Sequence, residues 1–240
     1  LEWANRFAHT KAVKESVANQ ARVASIEEGF GRWSISVDDI QKTIANAEKA
    51  VALLAGKEWV RITSPGGTDV RVNIDKRPAL CMVPVKKPGV MMAPVPLWGE
   101  VAFAAHESST DGTIVVDGNM LGIGVPGHVS SPITWHVEGG EYKAIEGGAD
   151  AQRLKDVIDG VPNIETIAEF AFGTSDFAPI GSPSEKGRKG TAHFALGDNE
   201  NCYPGGQNVS PLHLDGVSHN VSIQIEETGE YIVKEGVWQL

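Results

Sequence analysis

Two histidines and an aspartate close to the C-terminus are of the types from which metal sites are built. His193 lies in Gly190-Thr191-Ala192-His193-Phe194-Ala195-Leu196-Gly197. His213 and Asp215 close the run Gly205-Gly206-Gln207-Asn208-Val209-Ser210-Pro211-Leu212-His213-Leu214-Asp215. On a strand, residues two apart project from one face, so His213 and Asp215 point together. Their neighbours are largely apolar or glycine, and polar groups held in such surroundings are costly unless something satisfies them. A divalent cation does so through imidazole nitrogen and carboxylate oxygen, and a catalytic site leaves positions open for water and substrate. Two acids enlarge the set. Glu100 in Leu97-Trp98-Gly99-Glu100-Val101-Ala102-Phe103 and Glu169 in Ile167-Ala168-Glu169-Phe170-Ala171-Phe172 each stand alone in an apolar strand. Acids are rarely buried without a partner, so these two together with the trio point to a metal centre.

The elements that must position these residues follow from periodicity. Trp3, Phe7, Val13 and Val17 recur at helical spacing and predict a helix over residues 1–26, broken by Gly29-Phe30-Gly31. Ser36 followed by Asp39 reads as a helix start with an acidic first turn. Ile40, Ile44, Ala47, Val51 and Leu54 then make one apolar face, ending at Gly56. Beyond it the pattern alternates. Residues 59–63 and 70–74 flank Ser64-Pro65-Gly66-Gly67-Thr68 as a hairpin, and further strands are predicted over 100–104, 113–116, 133–137 and 142–145. A short helix over 149–158 turns Leu154, Val157 and Ile158 inward, and 221–225 with 231–233 form a closing hairpin. Helices followed by mostly antiparallel strands make an α+β chain: a helical segment over 1–56, then a β-rich metal-binding domain over 57–240. The chain starts at Leu1 directly in helix-like sequence, so the first segment reads as the end of an incomplete N-terminal α/β domain.

Bulk properties narrow the partners. The 240 residues carry a formal charge of −10, which argues against nucleic acid and anionic membranes as main partners. No apolar run approaches the roughly 18–20 residues of a membrane helix. Two cysteines, Cys81 and Cys202, make no disulfide framework, and with no leader in view a cytoplasmic home is expected. The other histidines read plainly: His9 as a solvated helix residue, His106 as a loop-surface residue with lining of the cleft as the alternative, His128 and His136 as loop and strand residues. His219, four residues after Asp215, is close enough to support it from behind, with a surface role as the alternative. Lys186 is read either as orienting substrate or as an ordinary loop lysine, and Cys202 is not needed as a ligand.

Residues 58–240 resemble the catalytic domain of the aminopeptidase T (thermophilic leucyl aminopeptidase) family of metallopeptidases. The resemblance rests on Arg61 through Asp69 as a glycine-threonine-aspartate hairpin, on Gly99-Glu100-Val101, on Ala168-Glu169-Phe170-Ala171-Phe172-Gly173-Thr174, and on Glu185-Lys186 with the two histidine blocks in that order. It implies a two-metal aminopeptidase, with zinc or cobalt held by Glu100, Glu169, His193, His213 and Asp215. It also implies a homodimer acting on short peptides, with Glu169 moving the proton to the leaving amine. Three features depart from the family. Glu200 stands where a tyrosine is expected, leaving Tyr203, three residues on, as the candidate for that role. Leu214 replaces a tryptophan, and only residues 1–55 resemble the end of the family's N-terminal region. The same superfamily contains 2,5-dihydroxypyridine dioxygenases, which hold one Fe(II) with two histidines and an aspartate; here these would be His213, Asp215 and one further histidine. Glu100 and Glu169 favour the peptidase over that alternative. A binding protein that keeps the fold without catalysis is the third reading.

Overall fold

The computed structural model describes residues 10–25, 34–84, 93–94, 99–201 and 203–240. Helix α1 (Lys11–Ala18) is capped by Thr10, whose side chain accepts from the Val13 amide, and buries Val13. It ends earlier than the apolar spacing predicts. Gln20 takes a left-handed φ of 63°, and the amides of Gln20 and Ala21 return to the carbonyls of Val17 and Ser16. That pair of bonds closes the last turn and redirects the chain. The chain then enters the short strand β1 (Ala24–Ser25); residues 1–9 and 26–33, including Trp3, Phe7, His9 and Gly29-Phe30-Gly31, lie outside the described residues.

Helix α2 (Val37–Leu54) starts at a reciprocal capping box between Ser36 and Asp39. Its most buried stripe is Thr43, Ala47, Ala50 and Leu54, small for the most part, with Ile40, Ile44 and Val51 only half-buried along its edges. Small side chains let the helix approach the sheet edge closely, and α2 lies against β4 (Leu80–Met82) and β6 (Glu100–Ala104).

The remaining strands are β2 (Trp59–Thr63), β3 (Asp69–Asn73), β5 (Ala93–Pro94), β7 (Asp111–Val116), β8 (Ile133–Glu138), β9 (Glu141–Glu146), β10 (Ile167–Gly173), β11 (Ala192–Gly197), β12 (His213–Ser218), β13 (Ser222–Ile225), β14 (Tyr231–Lys234) and β15 (Val237–Trp238). Helix α3 (Ala149–Ile158) packs on β8 and β9 with Leu154 and Ile158 inward. Eight strands form one antiparallel sheet in the order β15-β14-β13-β2-β3-β7-β8-β9, and five form another in the order β12-β11-β10-β6-β4. Strands β1 and β5 make a separate parallel pair. The architecture is α+β, with helices ahead of a β-rich body, as the patterning predicts. Among the described residues no helix is long and apolar enough to cross a membrane.

The two large sheets meet through one apolar cluster. Val60, Ile62, Ile114, Ile133 and Trp135 come from the larger sheet, and Val101, Phe103, Phe170, Phe172, Phe194 and Leu196 from the smaller. Each such buried side chain contributes roughly 1.5–3 kcal/mol relative to exposure. Close approach is enforced at Gly216, where a Cβ would fall 2.4 Å from Val116 Cγ2 and 3.0 Å from the Trp135 ring. The cluster also takes in Ala47, Ala50 and Leu54, so α2 shares the core of the strands that follow it.

Candidate metal centre

The strand register determines which side chains reach the other face of the five-stranded sheet. Glu169 pairs with Ala104 and Ala195, His193 with Ala171 and Val217, His213 with Gly197, Asp215 with Ala195, and Glu100 with Gly173. Directly opposite residues share a face. Glu100, Glu169, His193, His213 and Asp215 therefore rise together from a floor of Ala102, Ala104, Ala171, Ala195 and Gly197. The β10–β11 ladder shifts register between Ile167 and Glu169, and from Glu169 onward the acid faces the histidines. A second apolar group, Val13, Met82, Ala102, Ala104, Ala171 and Tyr203, covers part of this face, with Val17 packed against it.

All five candidates are buried, and they form two donor groups that share Glu169: Glu100 with Glu169 and His193, and Glu169 with His213 and Asp215. His193 Nε2 lies 3.3 Å from Glu169 Oε1 and 3.6 Å from Glu100 Oε2. His213 Nε2 lies 3.0 Å from Glu169 Oε2 and 2.9 Å from Asp215 Oδ1. His213 Nδ1 donates to the Asp198 carbonyl at 2.6 Å, which leaves Nε2 as the atom facing the carboxylates. A histidine anchored in this way through its outer nitrogen is a common arrangement behind metal ligands. Lys186 Nζ donates to Asp215 Oδ2 at 2.9 Å, and the Tyr203 ring stacks on His213 with centroids 5.7 Å apart.

The donor set fits a divalent cation. Both oxygens of Glu100, Oε1 of Glu169, both nitrogens of His193 and Oδ1 of Asp215 are buried without a hydrogen-bond partner, a costly state that a shared cation removes. Burial pushes Glu100 up to about 8 against the pull of His193 and Lys186. Burial acts in the same direction on Glu169, but the nearby His193 charge and the hydrogen bond from His213 outweigh it and hold that carboxyl far below its usual range. For Asp215 the burial effect is outweighed by Lys186 and then His213, again lowering it. Burial alone would lower His213, yet Asp215 and Glu169 push it up to about 10; His193 is raised in the same way by Glu169 and Glu100. Three carboxyls thus draw positive charge into a buried volume, and a metal ion supplies that charge without protonating the imidazoles.

The other sequence candidates fall elsewhere. Glu200, at the position where a tyrosine is expected, pairs with Lys14 of α1 instead of entering the centre. Cys202 lies outside the described residues. Lys186 is not a free loop lysine: it is buried against Asp215. Leu214 points to the opposite face and joins the core. His106 bonds the Asp75 carbonyl and Arg77, and His136 pairs with Glu146 at 3.4 Å on the surface. His219 does not support Asp215. Its imidazole turns to Asp117 and Glu185, because it follows the last residue of β12 and leaves the sheet face. His128 reaches the same Glu185, a meeting that no spacing in the sequence announces.

The model of the family described as "NicX: 2,5-dihydroxypyridine 5,6-dioxygenase" matches residues 4–178. No curated protein sequence matches the chain. Among solved structures, 2,5-dihydroxypyridine dioxygenase from Pseudomonas putida KT2440 is similar with a TM-score of 0.80 at 21% identity, over 96% of this chain and 68% of that one. AmpT from Thermus thermophilus is similar with a TM-score of 0.62 at 18% identity, over 85% of this chain and 58% of that one. Both likenesses are of fold. The family match shifts the balance drawn from Glu100 and Glu169, away from the peptidase and toward the dioxygenase.

Proposed function

The chain belongs to the NicX (2,5-dihydroxypyridine 5,6-dioxygenase) family, and from that premise we propose that it is a metal-dependent ring-cleaving dioxygenase for a hydroxylated nitrogen heterocycle. The family match carries the reading, and the donor set on the sheet face supports it. His193, His213 and Asp215 would hold the ion. Among the described histidines, His193 is the one that shares this face with His213, across the Glu169 carboxylate. Fe(II) in a two-histidine, one-carboxylate set supplies the one-electron chemistry that lets O₂ react with an aromatic ring. The protein's share is positional. The Asp198 carbonyl fixes the His213 tautomer, Lys186 holds one oxygen of Asp215, and Tyr203 packs a flat face against the His213 ring. Glu169 and Asp215, both held below the usual carboxylate range, keep the buried volume negative, which favours a cation there over an empty site.

A two-metal aminopeptidase is the second reading, and one observation favours it: two donor groups share Glu169, as a bridging carboxylate between paired ions requires. The deciding measurement loads the anaerobic apoprotein with Fe(II), then adds O₂ and 2,5-dihydroxypyridine. One iron per chain, oxygen uptake with loss of substrate absorbance, and abolition of both by His213→Ala are expected. Two zinc or cobalt ions at the sheet face, both lost in His193→Ala/His213→Ala, with cleavage of aminoacyl anilides and no oxygen uptake, would overturn the dioxygenase in favour of the peptidase.

A further inference from the structure

Glu185 is buried to 0% exposure in the short 3-10 turn Pro183–Gly187, yet both of its oxygens are met by histidines that open to solvent. His128 Nε2 lies 2.8 Å from Oε2 and 3.0 Å from Oε1, and His219 Nε2 contacts Oε1. The two rings are tilted against each other with centroids 5.0 Å apart. Three distant segments supply these groups: the loop after β7, the 3-10 turn and the residues after β12.

Two of the three donors, Glu185 and His219, are held from outside. Asn119 Nδ2 and the Gly181 amide donate to Glu185 Oε2 at 2.8 and 2.5 Å. His219 Nδ1 lies 3.4 Å from Asp117 Oδ1, and the same aspartate oxygen accepts the His219 amide at 2.8 Å. A carboxylate behind one imidazole nitrogen, with the other nitrogen facing a shared point, is the arrangement that orients metal-bound histidine. Gly118 makes room for it: a Cβ there would fall 2.9 Å from His219 Cε1 and 3.0 Å from Glu185 Oε1. The surface pair His136 and Glu146 shows the contrast, since both side chains open to solvent and no third donor among the described residues joins them.

We propose that His128, Glu185 and His219 form a second divalent-cation site of the zinc class, sharing no residue with the sheet-face centre. Two imidazole nitrogens and one carboxylate make a three-ligand zinc set, and the exposed sides of His128 and His219 leave room for water as the fourth ligand. Donors around a tetrahedral zinc sit roughly 3.3 Å apart, close to the His128–Glu185 separations here. A cation at this point ties the three segments together, and the residue after Glu185 is Lys186, which reaches Asp215. The site is therefore a clamp on the segment that presents Lys186 to the other centre.

The proposal stands whichever reaction the sheet-face centre performs, and its test counts metal instead of turnover. Apoprotein is saturated with Zn²⁺, passed through a desalting column and analysed for zinc per chain. The His128→Gln/His219→Gln variant should hold one equivalent fewer than the parent, and His193→Ala/His213→Ala should keep that equivalent. Equal zinc in the parent and in His128→Gln/His219→Gln would overturn the site and leave the cluster as a hydrogen-bonded ion pair. Should the glutamine variant not fold, the His193→Ala/His213→Ala chain gives a second reading with Co²⁺. Visible absorption of a bound cobalt ion is expected there, its loss on adding His219→Gln supports the site, and its absence before that change overturns it.

Discussion

Along β11, Ala192, Phe194 and Leu196 point toward the eight-stranded sheet, while His193 and Ala195 point away from it. The same division runs through β6, β10 and β12: Val101, Phe103, Phe170, Phe172 and Leu214 on one face, Glu100, Glu169, His213 and Asp215 on the other. The first face is aromatic and satisfied by packing alone. The second is floored by alanine and glycine, and its functional side chains are buried with several polar atoms left unpartnered. One backbone thus separates cohesion from chemistry by the two-residue period of a strand. Changes on the core face should move stability, and changes on the donor face should move metal binding with little loss of fold.

Phe194→Ala is the strongest way to break that division. Phe194 is fully buried between Phe170 and the opposite sheet, and its truncation should cost about 3–5 kcal/mol in urea unfolding. A cost below about 1 kcal/mol would mean the aromatic face is not what holds the sheets together. Gly216→Ala comes next. Its new methyl meets Val116 and Trp135, and overpacking of this kind costs about 1–3 kcal/mol, readable as a lower Tm with the donor residues untouched. Glu100→Gln should have the smallest effect on the fold. Its oxygens accept no hydrogen bond, so an amide loses none of them, and the metal-free protein should unfold within about 1 kcal/mol of the parent. Its metal affinity should nonetheless fall, seen as a weaker dissociation constant in a chelator competition. Unchanged affinity would show that Glu100 takes no part in holding the ion, as the three-ligand set of His193, His213 and Asp215 allows, and would count against the two-metal reading, which needs it as a ligand.

Much of the donor face was legible because burial makes lone acids conspicuous. Glu100 and Glu169 interrupt apolar strands, and the spacing of His213 and Asp215 places them on one face without any knowledge of the partner strands. What lay across the sheet was not legible. Lys186 meets Asp215 from 29 residues away, and the Asp198 carbonyl that anchors His213 belongs to the backbone, which carries no signature in residue type. The Glu185 cluster leaves no sequence signal for the same reason: His128 and His219 are 91 residues apart in the sequence and are joined only by the course of the loops. Apolar spacing past Ala18 predicts a longer first helix than the structure has, because the left-handed Gln20 that ends it is a residue type with no special turn preference. Fold class followed from the order of patterns. The choice between reactions did not, since His193, His213 and Asp215 are ligands in either one.

The register shift at Ile167 and Glu169 has a consequence for how this chain can vary. Because alternate residues of β6, β10, β11 and β12 serve opposite purposes, strand length is effectively frozen. Inserting or deleting one residue, unless a bulge like the one before Glu169 absorbs it, would drive the acids into the aromatic layer and turn the phenylalanines toward the donors. Diversity in such a protein has to enter by exchange of side chains on the alanine floor or by growth of the loops. The sheet is a tolerant scaffold for substitution and an intolerant one for changes of length.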